Sequence, residues 1–341
     1  MSYKQMTGNI ISATKVEPDG VFGSSAASGV WSLQEAFDYT KGDNWPNIAN
    51  LAPTAFFISG YINGNSDVIE SVAIGTLGNT TDFGDISVAD SGQTNNGQCA
   101  STVRGLIIIS PGGKDDIEYI TFATAGDSVD FGDLSFEARY SSSYSSATRG
   151  IFSGGLDGNI DTIEYVTIAS TGNSTDFGDL TAGRYHVSGA SSPTRGLTIG
   201  GQVGGTKSNI IDYTTIASAG NATDFGDLLA ANTKTSSNSN NTRAITGGGD
   251  TGSFSNVMQY ITIASTGNAT DFGDLTVARA ELGAASSSTR GLFAGGDAGD
   301  LSNVIDYVEI ASTGNASDFG DLLSVVKSQN SSGNAHGGIA A

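Results

Sequence analysis

The sequence has few of the residues on which common catalytic and metal sites depend. Its 341 residues include one cysteine, Cys99, and two histidines, His186 and His336. One cysteine excludes an internal disulfide framework and a cysteine-based zinc site, and two histidines leave little for a metal site or a Ser-His-Asp triad. We therefore expect no enzyme, no catalytic residue, no cofactor and no metal. The plentiful Asp and Glu still leave calcium binding and paired-carboxylate cleavage of glycosides open.

Basic residues are also scarce. Lys and Arg number 15 against 35 Asp and Glu, which gives a formal charge of −20. Such a charge repels phosphate backbones, so we expect no nucleic-acid partner. The first 30 residues lack a basic segment followed by an apolar one, and no apolar run reaches transmembrane length. We expect synthesis in a cytoplasm without a signal peptide, and no membrane insertion.

What the chain does have is a repeat. The motif Asp-Phe-Gly-Asp recurs with a period of 46 to 48 residues, in copies that begin at Asp82, Asp130, Asp176, Asp224, Asp271 and Asp318. One unit carries four strand signals, which in the third unit lie at 149–155, 162–169, around 177 and within 180–192. A fixed period of this length indicates one repeat body rather than several domains.

Several positions of each unit resemble the kelch repeat. A glycine pair ends one strand, at Gly112-Gly113, Gly154-Gly155, Gly200-Gly201, Gly247-Gly248 and Gly295-Gly296. A tyrosine follows in the next strand, at Tyr119, Tyr165, Tyr213, Tyr260 and Tyr307, and the phenylalanine of Asp-Phe-Gly-Asp stands where that family usually has Trp. The first unit departs from the pattern, with Ser59-Gly60 and Ser71. The resemblance covers about residues 54–335 and implies a β-propeller with four-stranded blades.

The ends of the pattern predict how the ring closes. The first unit opens at residues 54–57 without the inner strand found elsewhere, whereas the chain ends with a surplus strand at 323–328. We therefore predict an all-β, six-bladed, kelch-like β-propeller closed by the C-terminal strand, which leaves no open sheet edge. The predicted domains are an arm at 1–50, the propeller at 51–335 and a tail at 336–341.

The arm carries one helix signal and a second resemblance. Ser32 and Glu35 form a capping box, and Leu33 and Phe37 share a face, which predicts a short helix at 32–39. The stretch 27–37, which leads to Asn-Trp-Pro at 44–46, is similar to a segment of tail and virion proteins of tailed phages, especially marine ones. That resemblance implies a virion location and attachment to other virion proteins through the arm, with Trp31, Leu33, Phe37 and Trp45 as contact residues.

Three recurring residue types are interpreted as structural. The aspartates of Asp-Phe-Gly-Asp are expected to cap turns and accept backbone N–H bonds. An arginine precedes the second strand in five units, and we expect it to pair with neighbouring Asp, at Arg104, Arg149, Arg195, Arg243 and Arg290. Five Asn-x-Ser/Thr matches are interpreted as turns, because no secretory signal accompanies them.

The candidate binding site rests on what differs between units. Loops after the glycine pairs and the inner strands vary between units, and function tends to lie on loops held by a rigid frame. We predict that these segments gather on one face around the channel. The candidate ligand-binding residues are Arg139, Tyr140, Arg184, Tyr185, His186 and Arg279.

Three functions remain open at this point. The first is a phage tail-fibre or surface adhesin whose propeller binds a host-surface ligand such as a glycan, displayed as a homo-oligomer for avidity. The second is an architectural capsid, neck or tail component that binds only other virion proteins. The third is an intracellular protein-interaction module, as many kelch propellers are.

Overall fold

A computed structural model of the chain describes residues 52–90, 97–110, 115–156 and 160–339. Contacts divide the chain into two units, residues 1–51 and 52–341. The predicted helix at 32–39 and the four predicted attachment residues lie outside the described residues. The described part contains no helix, and hence no helix that could cross a membrane.

Six sheets of the described strands are the blades of a six-bladed β-propeller. Blades 1 and 2 contain β1 (Thr54–Tyr61), β2 (Asn65–Ala73), β3 (Thr81–Asp90), β4 (Arg104–Ile109), β5 (Asp116–Thr121) and β6 (Val129–Asp133). Blades 3 and 4 contain β7 (Ser142–Ser145), β8 (Arg149–Gly155), β9 (Ile160–Thr167), β10 (Thr175–Asp179), β11 (Ser188–Ser191), β12 (Arg195–Ile199), β15 (Ile210–Thr215) and β16 (Thr223–Asp227), with a small hairpin of β13 (Gln202–Val203) and β14 (Thr206–Lys207). Blades 5 and 6 contain β17 (Ser236–Ser239), β18 (Arg243–Gly247), β19 (Val257–Thr262), β20 (Thr270–Asp274), β21 (Gly283–Ser286), β22 (Arg290–Ala294), β23 (Val304–Glu309) and β24 (Ser317–Asp321).

The last strand, β25 (Asn330–Gly333), joins the first blade, whose strand order is β25-β1-β2-β3. It pairs antiparallel with β1, from Ala55 opposite Gly333 to Ile58 opposite Asn330. The predicted bounds of 323–328 are wrong, because this stretch is the approach to the strand. It ends in a left-handed residue, Ser328, with φ of +58°.

The innermost strands are short and made largely of Ser, Gly, Ala and Asn, and all their residues are buried. Inner strands of neighbouring blades contact one another, so larger side chains would collide near the axis. Serine hydroxyls join them: Ser191 Oγ donates to the Ser145 carbonyl at 2.9 Å and Ser239 Oγ to the Ser191 carbonyl at 2.8 Å. The low hydrophobic content of the chain thus reflects a polar hub, while apolar side chains fill the space between blades.

The hydrophobic core consists of layers between neighbouring blades. Phe57 and Ile74 of blade 1 pack with Leu292 and Ile305 of blade 6, and equivalent clusters join blades 2 and 3, 3 and 4, 4 and 5, and 5 and 6. Between blades 1 and 2, Phe56 stacks on Phe122 with ring centroids 4.7 Å apart. Each blade therefore relies on both neighbours for burial.

Asp-Phe-Gly-Asp recurs because it joins each blade to the next. Gly267 N–H donates to the Phe225 carbonyl at 2.8 Å, and Asn268 Oδ1 accepts the Asp227 N–H at 3.1 Å. A Cβ on Gly226 would lie 2.6 Å from the Gly267 carbonyl, so only glycine fits. The same backbone bond recurs at all six boundaries, including blade 6 to blade 1. The predicted role of the aspartates is wrong in detail, since the acceptor is the Asn of the turn (Asp127 in the second unit).

The recurring arginines also join blades. Arg243 lies 4.3 Å from the ring centre of Tyr260 and donates to the Ile310 carbonyl of the next blade at 2.9 Å. The other four make the same pair of contacts. Within the described residues only Arg290 among the five has an ion pair, with Glu309, so the prediction of ion pairs with Asp is wrong.

The glycine pairs end the second strands in left-handed conformations, as with Gly200 at φ +64° and Gly201 at +93°. In the fifth unit the residues with this conformation are Gly248 and Gly249, one position later than predicted. The pair predicted at 112–113 lies outside the described residues. In the first unit Ser59 takes this position with φ of +55°.

Candidate functional site

Five residues at the start of the inner strands stand in a conformation that side chains rarely adopt. We call Tyr140, His186, Lys234, Glu281 and Ser328 the mouth residues. They occupy the same position in successive units, and their φ values lie between +55° and +59°. None is glycine, although glycine would remove the strain. Non-glycine residues with strained backbone conformations cluster at binding sites and active sites. This end of the channel is therefore the leading candidate for the functional site.

Backbone bonds link four of the five mouth residues in a row. Lys234 N–H donates to the His186 carbonyl at 3.2 Å, Glu281 N–H to the Lys234 carbonyl at 3.0 Å, and Ser328 N–H to the Glu281 carbonyl at 2.8 Å. The bonds join the left-handed residues of neighbouring blades, so these residues lie at the same level of the channel. The backbone of these four residues is therefore fixed from blade to blade, which preorganises their side chains.

One half of the mouth is charged. The Lys234 ammonium donates to the Glu281 carboxylate, which also accepts Ser328 Oγ at 2.7 Å and lies 3.7 Å from Lys327 Nζ. Burial acts to raise the pKa of Glu281, but the bonds from Lys234 and Ser328 and the nearby ammonium groups outweigh it and lower the pKa. Glu281 is therefore ionised at neutral pH and presents a fixed carboxylate.

The other half is aromatic. The rings of Tyr140 and His186 lie 3.8 Å apart between centroids, and those of Tyr185 and His186 lie 5.2 Å apart. Burial, with the nearby Lys234 charge, lowers the pKa of His186 to about 4, so the imidazole is neutral at pH 7. Burial raises the pKa of Tyr140, which keeps its hydroxyl protonated. All three rings are partly exposed, so they offer flat neutral surfaces with polar edges.

Loops after the glycine pairs surround the mouth. Tyr185 bridges to Gln202, Thr233 to Asp250 and Ala280 to Asp297, each by backbone pairing. Side chains connect them further: Lys207 Nζ lies 2.6 Å from Asp250, and Lys327 Nζ lies 2.8 Å from Asp297. The three lysines of the described residues, Lys207, Lys234 and Lys327, thus all lie around this mouth, in a chain whose formal charge is −20.

The opposite end of the inner strands is filled by the chain itself. His336 is 1% exposed, its Nε2 lies 3.2 Å from Ser145 Oγ, and Gly338 N–H donates to its Nδ1 at 3.1 Å. Gly337 N–H donates to the Ser239 carbonyl at 2.9 Å. The predicted boundary of a tail at 336 is therefore wrong, because His336 packs within the propeller. The mouth and the end filled by residues 336–338 are at opposite ends of the channel.

Two predicted ligand residues are enclosed. Arg184 and Arg279 are fully buried and pair with Asp212 at 2.7 Å and with Asp306 at 3.2 Å. Burial lowers the pKa of both arginines, and the paired aspartates oppose that shift. Neither guanidinium can reach a ligand, which corrects the prediction for these two. Arg139 corresponds in register to Tyr185 rather than to Arg184, and its partly exposed side chain lies 3.3 Å from Glu137.

Three positions change residue type together from blade to blade, and the buried arginines occupy one of them. Blades 4 and 6 have Asp212 with Arg184 and Asp306 with Arg279, and an alanine follows the Asn of the turn. Blade 3 has the longer Glu164 at the aspartate position, with Ala138 replacing the arginine and a hydroxyl donor, Ser174, replacing the alanine. Each set satisfies one buried acid, so these residues stabilise the scaffold.

Reasoning from the sequence missed half of the mouth. Lys234, Glu281, Ser328 and Lys327 share the register of Tyr140, His186 and Tyr185, and an alignment of units on Asp-Phe-Gly-Asp would have placed them together. Their residue types differ in every blade, however, so no repeated motif marks them. Arginine was the misleading signal, because two of the three arginines considered are internal counter-ions.

One acidic group could hold a cation on geometry alone. Carboxylate oxygens of Asp115, Asp116 and Asp133 lie within 4.8 Å of one another, and this is the one such cluster among the described residues. Partly exposed acids are common in so acidic a chain, and no second feature there indicates an ion. We assign no metal to it.

The chain matches no protein-family model, and no curated protein shows significant similarity. The assignment of a binding site therefore depends on the geometry of the mouth.

Proposed function

We propose that this protein is a ligand-binding β-propeller of the kelch-like type, closed by β25, and that its ligand binds at the mouth. The observation that carries the proposal is the set of five non-glycine residues with positive φ. Each costs about 1 kcal/mol or more, and a purely structural turn would use glycine or asparagine there. The side chains are retained at that cost, and they converge on one opening.

The chemistry of the mouth favours a hydroxyl-rich ligand. Partly exposed rings of Tyr140 and Tyr185 can stack on the apolar face of a sugar, while Glu281 and Lys234 can accept and donate hydrogen bonds at its edge. The charges are paired with one another, so the site has no large excess of either sign. A host-surface glycan fits these properties better than a phosphate chain or a strongly charged peptide does.

The resemblance of residues 27–46 to tailed-phage virion proteins supports the biological setting. We propose a tail-fibre or other surface adhesin, attached through residues 1–50 and displayed in several copies. Multiple weak sites would give avidity without a deep pocket.

The test is binding of the full chain to a glycan array and to host cells. Tyr185→Ala and Tyr140→Asn remove the rings, and Asn tolerates the left-handed backbone at 140. Truncation of a central aromatic contact costs about 2 kcal/mol, so we expect affinity to fall more than about tenfold. Leu77→Ala, at an exposed peripheral turn, is the control and should bind normally.

Two results would overturn the adhesin. Unchanged binding by both ring variants would remove the mouth as the site. Binding by the intact chain to purified particle proteins alone, with no glycan or cell bound, would favour the architectural alternative.

A further inference from the structure

Blade 1 contains a cavity of about 300 Å³. It is lined by Ser59, Val68 and Glu70 of β1 and β2 and by Ser324 and Val326 of the approach to β25. It is separate from the mouth residues, none of which lines it. The first unit departs from the repeat at Ser59, and that residue lies in the cavity wall.

The register of the repeat shows what occupies this place in other blades. Val326 corresponds to Arg184 of blade 4. Arg184 donates to the carbonyl of Gly200 at 3.1 Å, to that of Ile210 at 2.6 Å and to the Asp212 carboxylate at 2.7 Å. The residues of blade 1 that correspond to these three partners are Ser59, Val68 and Glu70, and all three line the cavity.

In blades 3 to 6, side chains of the propeller itself occupy the corresponding space. Arg279 reaches the Val304 carbonyl and Asp306 in blade 6, as Arg184 does in blade 4, and Asn232 of blade 5 donates to the Gly248 carbonyl at 3.0 Å. In blade 3 the partly buried Phe136 packs into the adjoining core. Its counterpart in blade 1 is Ser324, which is too small to fill the space.

Two buried polar atoms in the cavity wall have no hydrogen-bond partner among the described residues. They are Ser59 Oγ and Gln329 Oε1, on side chains that are both 3% exposed. Buried polar atoms are normally satisfied, and both atoms can accept a hydrogen bond, so a donor group in the cavity would satisfy them. Ser59 also has φ of +55° where the other blades have glycine, so the chain retains a strained hydroxyl here.

We propose that this cavity binds a guanidinium group supplied from outside the propeller. The Glu70 carboxylate corresponds to that of Asp212, and its Oε2 already accepts the Thr80 hydroxyl at 2.5 Å and the Leu323 N–H at 2.9 Å. The acceptors left for the cation are the other Glu70 oxygen and the unsatisfied oxygens of Ser59 and Gln329. Exposed Asp82 and Asp85 at the rim attract the cation. The shared chemistry is the planar cation, which either a small molecule or an arginine side chain of a protein can provide.

The test is titration of the full chain with methylguanidinium, followed by NMR or calorimetry. Methylurea, which has the same shape without charge, is the ligand control and should not bind. Val326→Arg supplies an internal guanidinium and Ser324→Phe reproduces blade 3, so each should weaken binding at least about tenfold. Agmatine and an arginine-containing tripeptide, compared in parallel, distinguish a small-molecule source from a protein source.

A second variant keeps the test decisive. Arg184→Ala opens the matching place in blade 4, beside the small residue Ala182, and if folded it should gain a second methylguanidinium site. Saturable binding by the native chain that both filling variants abolish supports the proposal. No saturable binding by the native chain, equal binding of methylurea, or binding that both filling variants leave intact would overturn it.

Discussion

Removal of Arg184 tests the internal design of the blades most sharply. The Arg184 and Asp212 side chains are at most 1% exposed and their charged atoms lie 2.7 Å apart. Arg184→Ala leaves a buried carboxylate that retains only the bonds from Thr181. Loss of one partner from a buried pair costs about 3–5 kcal/mol, a large share of the 5–15 kcal/mol that stabilises a typical domain.

Blade 3 shows how the lost stability can be recovered without an arginine. Blade 3 holds Glu164 without an arginine, because Ser174 donates to the longer side chain. The triple variant Arg184→Ala, Asp212→Glu, Ala222→Ser copies that arrangement into blade 4. We expect it to recover more than half of the lost free energy of unfolding, measured by urea denaturation followed by far-UV circular dichroism.

The control is Arg184→Ala with Ala222→Ser alone, which should remain as unstable as the single variant. A loss of less than about 1 kcal/mol by Arg184→Ala would contradict the role of the pair, since an unpaired buried charge costs more than that. A triple variant that is no more stable than the single one would contradict the proposed exchange.

Three further predictions concern the blade boundaries and the filled end of the channel. Gly226→Ala should lower the free energy of unfolding by about 2–4 kcal/mol, because alanine there has a positive φ and is overpacked. Gly267→Ala should lower it by less, because a Cβ at Gly267 meets open space. Equal losses in urea denaturation would contradict the contact at Gly226. Arg243→Ala should cost about 2 kcal/mol by the same assay, from its stacking on Tyr260 and its bond to the next blade; a neutral effect would contradict this. Burial lowers the pKa of His336 to about 4, below its value of 6.5 in the unfolded chain, so the folded state binds fewer protons and stability falls as pH drops from 6.5 through 4. His336→Asn should remove about 3 kcal/mol of that acid-dependent loss, and parallel pH profiles of the two proteins would contradict it.

Much of the fold could be predicted from the sequence because each unit repeats the residues that bind its neighbours. Asp-Phe-Gly-Asp marks the outer strand and the boundary glycine, and the tyrosines mark the third strand, so the six-bladed arrangement follows from period alone. The bounds of β25 could not be predicted, because apolar residues at 323–328 resemble a strand while the inner strand itself consists of Asn, Ser and Gly.

The candidate site was harder to predict for a physical reason. A scaffold position has the same neighbours in every blade and therefore repeats, as Gly226 does. A binding position faces a ligand, so Tyr140, Lys234 and Glu281 have no reason to match one another. The prediction that Arg184 and Arg279 bind a ligand was wrong, because both side chains neutralise buried aspartates. A lone basic residue in an acidic chain suggests binding, and the sequence alone does not show that it is buried.

Native-state hydrogen exchange at residues 330–333 tests most directly the claim that six sheets form one ring closed by β25. The amides of β17, Ser236–Ser239, are the internal standard, because that inner strand lies in an uninterrupted blade. A closed ring predicts that both strands exchange only with large-scale unfolding, at similar free energies. Rapid exchange at 330–333 beside a protected β17 would show that the C-terminal strand is detached, and would contradict the account.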